Sequence, residues 1–319
     1  MDIFSIILWP IKWVIELILV AFHSLWTFLG LPFDAGITWV LSIVGLVIVV
    51  RAALIPIFVR QIKSQRRMLE VAPQLKKIQD KYKGKKDQFS REAMSRETME
   101  LYKRTGTNPL SSCLPLLLQM PIFFGLFSVL NDATRHAERG GVGVLTPALA
   151  ESFSNAEFLG APLSSTFIEA MNAGGPWQVM VVAVVMIVLM TASQFITQLQ
   201  IVSKNMSPET KASPMFRQQR ILLYLLPLVF AFSGVAFPLG VMFYWLVSNF
   251  WTMGQQFIVI RNMPTPGSEA AKAREARLAR KGKLVVESGE DASAEDQKPT
   301  STQRQQPMGK SRSKKQNRK

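Results

Sequence analysis

The stretch Val47–Phe58, VIVVRAALIPIF, sets Arg51 inside an apolar run from Ile37 to Val59 whose only other polar members are Thr38 and Ser42. About 23 residues at a rise of roughly 1.5 Å cross the ~30 Å hydrocarbon core, so the run reads as a transmembrane helix. Arg51 then lies within the bilayer. Insertion scales put a cost of about 2.5–3.5 kcal/mol on such a residue, which makes an intramembrane arginine a functional hypothesis by default.

Working outward, hydrophobic residues make up 48% of the chain and charged residues 18%, and the two are segregated. Apolar runs fall at about 37–59, 110–130, 176–202, 220–236 and 238–260, with the charge between them and after them. This pattern predicts an all-α polytopic membrane protein with a five-helix core. The single cysteine, Cys113, excludes an intrachain disulfide and argues against a cysteine-rich zinc cluster. No cofactor and no metal are expected. Internal repeats are absent from the sequence, which weakens a reading as a transporter built from duplicated halves.

Orientation follows from the lysines and arginines. Residues 60–104 hold fourteen of them, whereas residues 131–175 hold only Arg135 and Arg139 beside five acids. The positive-inside rule puts the first segment in the cytoplasm and the second outside. The loop 203–219 and the tail after Arg261 are again basic, so five spans leave a cytoplasmic C-terminus.

Residues 1–34 admit two readings. Ser5, Lys12, Glu16, His23 and Thr27 recur at spacings of 7, 4, 7 and 4, one stripe on an otherwise apolar, Trp-rich helix. Lys12 and Glu16 are placed to pair at i,i+4. The helix either lies on the outer leaflet or crosses as a sixth span with its stripe turned inward.

Residues 60–104 lack apolar runs but keep helix formers, interrupted by KYKGKKD around Gly84. They predict two helices of about 20 residues in a cytoplasmic hairpin reaching roughly 30 Å from the membrane, with Pro73 kinking or restarting the first. Ile62, Leu69 and Ile78 against Met94 and Leu101 would be its sparse seam. Residues 262–319 read as a disordered basic tail ending GKSRSKKQNRK. Candidate contacts to anionic lipid or the ribosome are Lys76, Lys77, Lys81, Lys83, Lys85 and Lys86 in the hairpin, and Lys314, Lys315 and Arg318 in the tail. The tail could also meet rRNA phosphate through salt-sensitive contacts.

Further polar residues occupy the spans. Thr191, Gln194 and Gln198 share one helical face, and so do Ser248, Thr252 and Gln255 beside Trp245; Gln119 sits between Pro115 and Pro121. A lone intramembrane amide usually serves as interhelical glue worth about 0.6 kcal/mol. Several polar stripes together with Arg51 argue instead for a hydrated cavity open to the cytoplasm. No Asp or Glu lies within the spans to neutralise Arg51, so its counter-ion is water, lipid phosphate or a passing substrate.

Four motifs now converge: VRAALIP with Arg51; KSQRRMLEVAPQLKKIQDKY; TNPLSSCLPLLLQMPIFFGLF with Asn108, Pro109, Gln119 and Phe123; and FPLGVMFYWLVSNFWTMGQQF with Tyr244, Trp245, Ser248, Asn249 and Gln255. In this order the chain resembles the YidC-type membrane insertases, which include the organellar Oxa and Alb relatives, over residues 37–261. It is similar to the branch without a large extracytoplasmic domain, and departs from many short members in having no lipoprotein-type cysteine near the N-terminus. The resemblance implies a polar groove, open to cytoplasm and lipid, in which Arg51 attracts polar segments of nascent membrane proteins while their apolar helices pass into lipid. It implies a bacterial cell membrane location, with the Sec translocon and the ribosome as partners. Apolar transfer at roughly 25 cal/mol per Å² would drive the step without nucleotide, and no GxxxxGK(S/T) loop is present.

Two other classes compete with this reading. An anion channel or transporter with Arg51 as its selectivity residue accounts for the polar stripes but leaves the hairpin without a role. An intramembrane enzyme lacks a base, because His23 and His136 lie in the N-terminal helix and the outer loop, so no enzymatic activity is expected.

Overall fold

The longest element joins two that the sequence separates. In the computed structural model, which describes residues 3–85, 87–108, 114–208 and 231–281 with isolated positions at 211, 221, 225 and 227–229, helix α2 runs from Gly36 to Lys81 over 46 residues. It therefore contains both the Arg51 span and the first arm of the hairpin. Pro56 and Pro73 lie inside it. Each removes one ladder bond, but helix formers flank both, so α2 continues through Pro73 where a restart is a sequence option.

A turn with Gly84 at φ +84° leads into α3 (Gln88–Thr105). Asp87 caps α3 by accepting from the Ser90 N–H at 2.8 Å, and Gly106 ends it in the left-handed region. Lys81 and the Tyr82 hydroxyl both donate to Glu97, at 2.5 and 2.8 Å. Val71 is buried in α2 and Leu101 in α3; of the two, only Leu101 stands in the sequence-derived seam.

The remaining long helices are α1 (Ile3–Phe28), α4 (Leu114–Arg135), α7 (Trp177–Lys204) and α8 (Leu239–Asn262). Leu8–Phe28, Gly36–Ser64 and Trp177–Lys204 are each long and apolar enough to cross a membrane. The molecule is an all-α polytopic membrane protein. Ile15 and Leu19 of α1, Ile43 and Leu46 of α2, Leu126 and Val129 of α4, Val179 and Ala183 of α7, and Val241 and Met242 of α8 form a continuous buried core. The expected span 220–236 is interrupted by undescribed residues at 220, 222–224, 226 and 230, and Pro109, Cys113, Lys86 and the tail from 282 onward lie outside the described residues.

From Lys12 to His23 the stripe on α1 turns inward, but Lys12 and Glu16 do not pair with each other as i,i+4 spacing suggests. Lys12 Nζ donates to Asp132 Oδ2 of α4 at 2.7 Å. Glu16, 0% exposed, accepts the backbone N–H groups of Val142 and Gly143 at 2.8 and 2.7 Å, and that of Leu145 at 3.4 Å. His23 Nε2 donates to the carbonyl of Phe33 at 2.9 Å and its ring lies 4.2 Å from that of Trp39. Long-range partners win because burial penalises any polar atom left without one.

The segment 131–175 folds into a cap. A 3₁₀ turn (Ala137–Arg139), α5 (Pro147–Asn155), strands β1 (Glu157–Phe158) and β2 (Ala161–Pro162), and α6 (Phe167–Asn172) follow in order. Leu159 and Gly160 turn the antiparallel hairpin with φ of +56° and +74°. Trp39 Nε1 donates to Ser152 Oγ at 3.1 Å, and the rings of Trp39 and Phe153 meet edge to face at 5.3 Å. Leu239 and Gly240 at the start of α8 donate to the carbonyls of Ser165 and Leu163. The cap thus ties α1, α2 and α8 together at one end of the bundle.

One part of the expected disordered tail is ordered. Residues 269–280 form α9 (Glu269–Arg280), whose Ala, Glu and Arg residues are strong helix formers, with Ser268 as its N-cap.

Candidate functional site

Fifteen residues into α2, Arg51 is partly buried against α8. Its guanidinium Nη2 donates to Ser248 Oγ and its Cζ lies 5.8 Å from the centre of the Phe58 ring. Ser248 is itself buried, and one turn further along, Thr252 Oγ1 donates to the Ser248 carbonyl at 2.8 Å. One turn the other way on α8, the Tyr244 hydroxyl lies beside Arg51 and Ser248 and accepts from Gln119 Nε2 of α4 at 2.7 Å. A polar chain thus links three helices across the apolar interior. Among the described residues, no carboxylate pairs with Arg51.

Below this chain, towards the hairpin end of α2, the surfaces of α2 and α8 part to leave a groove of about 450 Å³. Ile55, Val59, Phe250, Ile258 and Met263 make its wall apolar, and Gln255 reaches it while accepting from Trp251 Nε1 at 3.1 Å. Arg51 and Ser248 lie about one turn from the lining residues Ile55 and Trp251, respectively, and do not line the groove themselves. A site of this kind holds a polar group at its head and an apolar chain along its length.

Other residues expected in the groove are placed elsewhere. Trp245 packs into an aromatic cluster with Phe123 and Phe237 at 5.5 and 5.8 Å, rather than joining the Arg51 chain. Thr191 lines a separate apolar recess with Ile187, Phe195 and Leu228. The buried hydroxyls of α7 are Ser193 and Thr197, which donate back to the carbonyls of Met190 and Ser193. One residue is about 100° of helix, so Gln194 and Gln198 sit that far round from Ser193 and Thr197.

Some polar residues carry no individual signal in the sequence. Tyr244 reads there as one motif aromatic, yet its hydroxyl bridges α4 to α8. Gln61 is buried, and neither side-chain amide atom has a hydrogen-bond partner among the described residues; Asn249 Nδ2 is in the same state. Buried amides in such positions are commonly satisfied by water.

In the hairpin, Lys76, Lys77 and Lys83 are exposed, while Lys81 and Lys85 lie 5.2 and 5.4 Å from the ring of Tyr82. The bond to Glu97 raises Lys81 above the ordinary lysine range. Glu97 is lowered by its bonds from Lys81 and Tyr82, and Asp87 by its bonds from Ser90. Lys86, Lys314, Lys315 and Arg318 lie outside the described residues.

The family model described as 60Kd inner membrane protein matches residues 32–266, which take in α2 through α8. Among curated proteins, one named membrane protein insertase YidC from Tropheryma whipplei (strain Twist) is 44% identical, over 98% of this chain and 97% of its own length. One of the same name from Streptomyces avermitilis is 46% identical over 92% of this chain and 65% of its own length. A third, from Mycobacterium tuberculosis (strain H37Rv), is 32% identical over 86% and 77%.

Proposed function

The chain belongs to the 60Kd inner membrane protein family, and from that premise we propose how it works as a membrane protein insertase. Arg51 receives an acidic or polar segment of a nascent membrane protein, and the apolar groove between α2 and α8 guides the adjoining hydrophobic helix into lipid. The observation that carries the reading is an intramembrane guanidinium whose partner is a neutral hydroxyl, Ser248, at the head of an apolar groove. A neutral partner leaves the positive charge free to attract an anion. Both amide atoms of Gln61 and Nδ2 of Asn249, buried with no hydrogen-bond partner among the described residues, fit a hydrated interior that shortens the low-dielectric path of a polar segment.

Nothing supports the anion-channel alternative, and the relatives' name speaks for insertion. In this reading the protein lies in a bacterial cell membrane with its C-terminus in the cytoplasm, as the positive-inside rule assigns. The exposed lysines of the hairpin then face the ribosome, the Sec translocon or anionic lipid.

The test is reconstitution without other translocation components. Purified protein in liposomes is given a single-span substrate with an acidic outer segment, and the protease-protected fraction is measured. Protection should depend on the protein, fall in Arg51→Ala, and be largely retained in Arg51→Lys, because charge governs in a hydrated groove. Equal loss in both variants, with normal folding, would point to a bidentate partner for Arg51. No protection above empty liposomes would sink the reading for this chain acting alone.

A further inference from the structure

The ends of α7 and α8 carry a second cationic site that shares no residue with the surroundings of Arg51. α7 ends at Lys204 and α8 at Asn262. Beyond α8 the chain folds back. Thr265 N–H donates to Asn205 Oδ1 at 2.8 Å, and Pro264, Thr265 and Ser268 are buried. Two turns into α9, Arg277 Nη2 donates to the Arg261 carbonyl at 2.6 Å, one of the acceptors that a helix end leaves free. A recess of about 250 Å³ results, with Gln200, Lys204, Phe257, Ile260, Arg261 and Arg277 around it.

Lysine and arginine in the last turn of a helix are favoured by its dipole, and that alone accounts for Lys204 and Arg261. It does not account for a third cation delivered from another helix. Nor does it explain Gln200 Oε1, which is buried and accepts no hydrogen bond among the described residues. None of the three cations is in an ion pair among those residues. The recess therefore offers positive charge, one waiting acceptor and an apolar wall. Because α7 and α8 end here, it sits where bilayer meets water.

We propose that this recess binds an anionic phospholipid with a hydroxylated headgroup. The phosphate lies among Lys204, Arg261 and Arg277, a headgroup hydroxyl donates to Gln200 Oε1, and an acyl chain runs along the exposed ring of Phe257. A free phosphate would make no use of the wall formed by Phe257 and Ile260, and an RNA backbone needs a track longer than one recess.

The full chain is purified from nanodiscs of phosphatidylcholine doped with phosphatidylglycerol, and retained lipid is identified by native mass spectrometry. Phosphatidylglycerol should be retained preferentially by the wild type. One lysine near an anionic surface is worth about 1 kcal/mol, or roughly fivefold, so Lys204→Gln should lower that preference about fivefold while Lys204→Arg keeps it. Lys204 makes none of the bonds that hold α9, so its loss leaves the helix docked. Gln200→Leu should retain phosphate binding but lose the preference for phosphatidylglycerol over phosphatidic acid. Equal retention of phosphatidylglycerol and phosphatidylcholine by the wild type, or a Lys204→Gln variant indistinguishable from it, overturns the proposal. So does displacement of the lipid by millimolar inorganic phosphate, which would mark a soluble anion, or Lys204-dependent binding of a short single-stranded RNA in its place.

Discussion

Removing the Glu16 carboxylate should loosen the whole capped end of the bundle. The side chain is fully buried and accepts two short hydrogen bonds, from Val142 and Gly143, and a longer one from Leu145. Hydrogen bonds to a charged group contribute about 1.5–3 kcal/mol each, and a buried N–H left without an acceptor costs a similar amount. Counting only the two short bonds, Glu16→Ala should cost about 3–6 kcal/mol, a large part of the roughly 5–15 kcal/mol that stabilises a typical domain. Glu16→Gln keeps one acceptor but turns an NH₂ towards an N–H, so about half that loss is expected. Gly141 permits the approach, since a Cβ there would fall 2.3 Å from Glu16 Oε1. Gly141→Ala should therefore be costly alone and cheaper in the Glu16→Ala background. Denaturant unfolding in mild detergent, followed by tryptophan fluorescence, measures all four proteins. A Glu16→Ala loss under about 0.5 kcal/mol would refute the assignment of the carboxylate as the clamp of the 141–145 loop.

Three further outcomes are expected. Tyr244→Phe removes the acceptor of Gln119 and should cost about 1–2 kcal/mol in the same unfolding assay, while lowering insertion less than Arg51→Ala does. Gly36→Val places a Cβ 2.2 Å from the Glu157 backbone carbonyl, so the β1–β2 hairpin must move, and thermal stability in detergent should fall by about 2 kcal/mol or more. The tip of the α2–α3 hairpin should be insensitive to pH across the neutral range and open at both extremes. Glu97 and Asp87 are depressed, so their contribution is present above the unfolded carboxylate range near pH 4 and is lost as pH falls through their lower folded values. Lys81 is raised, so its contribution is complete below the unfolded lysine value near 10.4 and lost as pH rises through its folded value. Spin labels at Gln79 and Ser95 report the separation, and a monotonic change through neutrality would contradict this account.

The apolar runs 37–59 and 176–202 and the two helical arms were legible in the sequence because hydropathy and helix formers mark them, and Arg51 because it is a single residue out of place. The polar stripe on α1 was legible too, but not its partners. Lys12 meets Asp132 across 120 positions of chain, and Glu16 binds backbone amides, which every residue but proline supplies and no spacing advertises. The cap was hidden for another reason. α5 and α6 span nine and six residues, too short for a helical period to emerge, and the strands have two residues each. On α7, three polar residues formed a clean stripe while the face turned inward is set by Ser193 and Thr197, whose hydroxyls satisfy themselves on their own helix. Self-satisfied hydroxyls need no partner from another helix, so they are free to be buried. α9 was masked by its charge, which reads as solvated chain until Arg277 finds the Arg261 carbonyl.

The continuity of α2 has a mechanical consequence. Its 46 residues make a rod of roughly 69 Å at about 1.5 Å per residue, held near Gly36 and Trp39 by the cap and ending in an exposed tip at Lys81. Core packing holds α2 as far as Val47, so Arg51 lies about 6 Å beyond the held segment and the tip about 51 Å, and a rod pivoting there moves the guanidinium about an eighth as far as the tip. A sideways push of about 3 Å on the hairpin then shifts Arg51 by only about 0.4 Å, and bending at Pro56 and Pro73 lowers that further. The arm is free to swing while the guanidinium keeps its place.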